Sequence, residues 1–109
     1  MDESPFLRIK QLETEVGSVL SPIDVYELDR GLQKLIAAIK HELVDARLDI
    51  RDYELSETRA EQLEKAKAAQ KRLEALRKNI LTASEHDIFS AVDVAQLTAQ
   101  LDFVAEHIN

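Results

Sequence analysis

From Ile23 to Leu55 apolar side chains return every three or four residues, no proline interrupts them, and Gly31 is the sole glycine among them. A period of about 3.6 residues sustained over that many turns describes one long amphipathic helix, and its buried stripe needs other helices to cover it. The stripe runs through Val25, Leu28, Leu32, Leu35, Ile36, Ile39, Leu43, Ala46, Ile50 and Tyr53. A β fold is disfavoured for a second reason: glycine and proline together supply only four residues of 109, too few for the turns that short strands require.

The remaining segments give the same period. Phe6, Ile9, Leu12 and Val16 share one face of a short helix, with Gly17 placed as its C-cap. Ser21, Pro22 and Asp24 resemble an N-cap, a first-turn proline and an acidic residue near the positive helix end, so the long helix is expected to start at residue 22 and to span roughly 50 Å. Thr58 with Glu61 forms a capping box ahead of Leu63, Ala66, Leu73, Leu76 and Ile80. The last helix carries Val94, Leu97, Leu101, Val104 and Ile108, and competing caps at Thr82, Ser84 and Ser90 place its start near His86 or at Ala91.

The expectation is a single all-α domain over residues 1–109, a three- to four-helix bundle with helices near 5–16, 22–55, 59–81 and 88–107. The short turn at Ser56–Thr58 makes the second and third helices an antiparallel hairpin. With the third helix about two-thirds as long as the second, Val25, Leu28 and Leu32 are left needing cover from the first helix or from a second subunit. Gly31 is the expected place for a bend or a close helix crossing.

LSPIDVYELDRGL at Leu20–Leu32 and FSAVDVAQLTAQL at Phe89–Leu101 share Ser, Asp, Val, Leu and Leu in register. Helix-start rules account for all five matches, since Ser and Asp satisfy orphan amides and the apolar residues build a stripe. The intervening residues differ, so the likeness reads as two N-termini and not as a duplicated ligand motif.

Several function classes lack their chemistry. There is no cysteine, which removes disulfides, thiolate metal sites and cysteine nucleophiles. His41, Asp45, Asp49 and Asp52 lie along one helix face, but Asp45 stands where a zincin needs its second histidine. None of His41, His86 and His107 has a glutamate three residues before it, as di-iron bundles require. Gly17 and Gly31 form no phosphate loop. We expect no enzyme activity, no cofactor and no metal. MDESPFLRIK has neither the basic start nor the apolar run of a signal peptide, and no apolar stretch is long enough to span a membrane, so a soluble cytoplasmic protein is expected.

Net charge is -7, yet residues 65 to 78 hold Lys65, Lys67, Lys71, Arg72, Arg77 and Lys78 against Glu74 alone, a local +5 that leaves -12 elsewhere. This basic face (Lys65, Lys67, Lys71, Arg72, Lys78) is expected chiefly to pair with acidic neighbours in the fold. Its rival role is nucleic-acid binding, which the acidic total and the scarcity of aromatic residues oppose. The leading expectation is a small acidic protein-interaction module, an adaptor, regulator or secretion-type chaperone, homodimeric, with apolar grooves between helices. The candidate partner-binding residues are Val25, Leu28, Leu32, Ile88, Phe89, Val92 and Phe103.

Overall fold

A computed structural model of the chain describes residues 4–108. The expected all-α fold is present: α1 (Pro5–Leu20), α2 (Arg30–Leu55), α3 (Arg59–Glu85) and α4 (Ala91–Glu106), with a single 3-10 turn at Val25–Glu27. Each helix packs on its neighbours in a ring, α1 on α2, α2 on α3, α3 on α4 and α4 back on α1. Side-chain bonds between neighbours, Ser4 to Glu54, Asn79 to Glu42 and Gln100 to Glu15, give successive helices opposite directions. The result is an up-down-up-down bundle measuring 47 × 28 × 18 Å.

Its core is wholly apolar among the described residues. Ile39, Leu43, Ala46 and Ile50 of α2 meet Ala69, Leu73, Leu76 and Ile80 of α3, while Ile9, Leu12 and Val16 of α1 and Leu97, Leu101 and Val104 of α4 fill the other side. Alanine at 46 and 69 leaves no side-chain bulk beyond Cβ, so the two long helices can approach closely.

Three expected boundaries are corrected. Gly17 is not a C-cap: α1 continues through it to Leu20, and Ser21, itself in helical conformation, donates its backbone N–H to Gly17 O. Ser21 therefore closes α1 and does not open α2. Pro22 acts as a stop signal, because it has no N–H with which to extend the helix. The long helix starts eight residues later, at Arg30, where Asp29 in extended conformation accepts the Leu32 amide at 2.9 Å. Gly31 accordingly belongs to the first turn and makes no bend. A Cβ there would lie 3.2 Å from Asp29 Oδ1, the atom that performs the capping.

The connector 21–29 has a geometric reason. Glu13 lies opposite Arg47, so by helical rise the end of α1 falls roughly 15 Å short of the start of α2. A chain that must cover that distance is better extended than helical. It carries Ile23, Val25 and Leu28 against the core on the way, and Asp24 caps its one 3-10 turn by accepting the Tyr26 amide.

The third helix also exceeds its expected end, running to Glu85, so α2 and α3 are nearly equal at 26 and 27 residues. The overhang expected for the long helix vanishes, and Val25, Leu28 and Leu32 are half-buried within one chain. Helix α3 ends in a Schellman motif: Ile88 N–H reaches Ala83 O, Asp87 N–H reaches Ser84 O, and Asp87 takes a left-handed φ of 61°. Of the two starts considered for the last helix, Ala91 is the one observed. Ser90 and Asp93 form a reciprocal capping box, each side chain accepting from the other's backbone amide.

Two stability measurements check these assignments. Ser90→Ala should cost on the order of 1 kcal/mol in urea unfolding, while Ser21→Ala should be near neutral because Ser21 caps no N-terminus. Gly17→Ala should stabilise by up to about 1 kcal/mol, since Gly17 lies inside α1 and its added Cβ meets nothing within 4 Å.

Candidate functional site

The basic segment of α3 divides into two groups by the face each residue occupies. Towards α2, Arg72 donates from Nε to Asp49 Oδ2 at 2.7 Å and from Nη1 to Asp45 Oδ2 at 3.2 Å. Lys65 lies 3.8 Å from Asp52. Towards α4, Arg77 pairs with Asp102. The guanidinium of Arg72 is held above its usual pKa, first by the hydrogen bond to Asp49, with burial opposing and the charges of Asp49, Asp45 and Glu42 adding to the rise. Three acidic residues of the His41–Asp52 stripe thus serve as partners for α3. His41 remains on the exposed side of α2.

The second group, Lys67, Lys71 and Lys78, is exposed and has no ion pair among the described residues. Lys67 and Lys71 border an open groove of about 690 Å³ between α3 and α4. Its apolar lining comes from Ala68 and Leu73 of α3 and from Leu101 and Ala105 of α4. The Arg77–Asp102 pair bounds it at one end. Towards the hairpin turn it opens beyond the end of α4 at Glu106, with Gln70 Nε2 donating to Ile108 O near that end.

The candidate partner-binding residues do not converge on this groove. Phe89 (2% exposed) and Ile88 (7%) are inside the core, where the loop after α3 turns them inward. Phe103 is sandwiched within the chain, with the Arg8 guanidinium 4.2 Å from its ring centre and the His107 ring stacked at 4.1 Å. Val25, Leu28 and Leu32 pack against the core from the connector and the first turn of α2. Val92 alone of the set is well exposed, at 66%. The groove itself was missed because its walls come from residues with ordinary core spacing. The one available signal was the small size of Ala68 and Ala105 beside that spacing.

On the other side of α2, Arg47 Nε faces Glu13 Oε1 of α1 at 3.1 Å, near enough for ion pairing but without the alignment of a hydrogen bond. Comparison with known protein families, with characterised proteins and with solved structures finds no match to this chain.

The α2–α3 ion pairs are partly exposed, so their contribution is modest. Arg72→Ala should lower unfolding stability by no more than about 1 kcal/mol, and most of that difference should disappear in about 1 M salt.

Proposed function

We propose that this protein is a protein-interaction module that receives an acidic amphipathic helix in the groove between α3 and α4. The observation that carries this reading is a small apolar strip of Ala68 and Ala105 flanked by Lys67 and Lys71, two exposed lysines without an ion pair among the described residues, which outnumber the one exposed unpaired carboxylate there, Glu74. An incoming helix would lay a narrow apolar face over Ala68, Ala105 and the aliphatic stems of Lys67 and Lys71, above the buried Leu73 and Leu101, and place carboxylates near the two lysine ammonium groups, a helix-in-groove arrangement. A volume of about 690 Å³ lies within the range of binding clefts, and the open end allows a longer segment to continue along α3. Adaptor, regulator or chaperone roles all use this kind of contact, and two copies in one assembly would double the number of grooves.

The rival reading, nucleic-acid binding through α3, is weakened by the partition of its cations. Lys65, Arg72 and Arg77 are already engaged with carboxylates, leaving Lys67, Lys71 and Lys78, and few phosphate contacts give little affinity in an acidic protein.

Labelled helical peptides with one apolar face and either an acidic or a basic opposite face discriminate the two readings by fluorescence anisotropy. The acidic peptides should bind, and Lys67→Glu with Lys71→Glu should abolish that binding while the basic peptides gain. Equal affinity for both charge types would remove the groove reading. Salt-sensitive binding of a DNA or RNA duplex at about 50 mM salt would install the rival.

A further inference from the structure

Helix α2 has a second stripe, on the side away from the core. Val44, Leu48 and Leu55 are 38%, 37% and 70% exposed, three of the eight large apolar residues at the surface among the described residues. They belong to the series Ala37, His41, Val44, Leu48, Arg51, Leu55, whose steps of four, three, four, three and four are the a and d positions of a heptad. The buried stripe of the same helix is complete without them.

The charges flanking this outer stripe differ by side. On the edge towards α1 the g positions are Lys40, Arg47 and Glu54, and on the edge towards α3 the charged e positions are Asp45 and Asp52; Arg47, Asp45, Asp52 and Glu54 also meet partners within the chain but stay partly exposed. In a parallel pair of helices a g residue meets the e residue five positions further along the partner. That rule sets Lys40 against a second copy's Asp45 and Arg47 against its Asp52, opposite charges in both cases. An antiparallel pair sets g against g and e against e, so the register centred on the stripe places Arg47 against Arg47 and Asp45 against Asp45 and gains only Lys40 against Glu54.

We infer that α2 carries a self-association seam, by which two copies of the chain join through the outer stripe with their α2 helices parallel and in register. This rests on the two-copy reading stated above and gives it a surface, an orientation and a register. His41 and Arg51 weaken the seam but fix its alignment, as polar residues at single a or d positions do. The groove between α3 and α4 lies elsewhere on the bundle, so each copy keeps its own groove open.

The natural chain has no cysteine, so single-cysteine variants report proximity cleanly. Val44→Cys and Leu55→Cys, each made in the full chain and mildly oxidised, should both give covalent dimers, and Lys78→Cys at an exposed position of α3 should not. An antiparallel pair can bring at most one of positions 44 and 55 onto itself. Leu48→Lys should weaken association at least about tenfold by sedimentation while leaving the helical signal unchanged, as it replaces a surface residue at the centre of the seam. A single species of 12.4 kDa up to about 0.5 mM would overturn both the seam and the two-copy reading. A dimer that ignores Leu48→Lys, or that crosslinks at only one of the two cysteines, would overturn the seam and leave the two-copy reading standing.

Discussion

The contact on which the rest of the molecule depends is the apolar seam between α2 and α3. Ile39, Leu43, Ala46 and Ile50 meet Ala69, Leu73, Leu76 and Ile80, and the turn at residues 56–58 is short enough to hold the two helices in antiparallel register. Neither α1 nor α4, at 16 residues each, spans the length of this hairpin. They add a second layer to it, and the open groove lies where residues 67–77 of α3 face the second half of α4. Polar bonds such as Arg72 to Asp49 and Asn79 to Glu42 border the seam and fix its alignment, while the area buried between them supplies the greater share of its stability.

Much of this was legible in the sequence, and the exceptions are instructive. The period of the long stripe, the N-cap at Thr58, whose expected reciprocal bond to Glu61 is not formed, and the capping box at Ser90 identify helices because they satisfy burial and orphan amides at once. Ser21 offers the same letters as Ser90 and does the opposite job. At Ser90 the preceding chain is a loop, so its side chain meets free amides. At Ser21 the preceding chain is already helical, so the residue continues a hydrogen-bond series instead of opening one. Local spelling is symmetric between these cases, and only the path of the chain before the cap separates them.

The groove was less legible for a related reason. Leu73 and Leu101 carry the spacing of core residues and are buried as such, and periodicity does not report the concavity left where the small Ala68 and Ala105 flank them. The basic run on α3 was visible as charge, and its expected pairing with acidic neighbours holds for Lys65, Arg72 and Arg77. Which lysines would be left over depends on the rotation of α3 about its own axis, a property fixed by packing.

The ring of helices also has a consequence for the order in which the chain can organise itself. The α2–α3 contact joins neighbours in sequence, whereas the Glu15 and Gln100 side chains that tie α1 to α4 are 85 residues apart. Closing that distance costs more loop entropy than forming the hairpin does, and the cost is lowest once the intervening hairpin already holds both approaches in place. The junction of α1 with α4 is therefore the natural last step of assembly and the first place for the bundle to open, a hinge line running along its length.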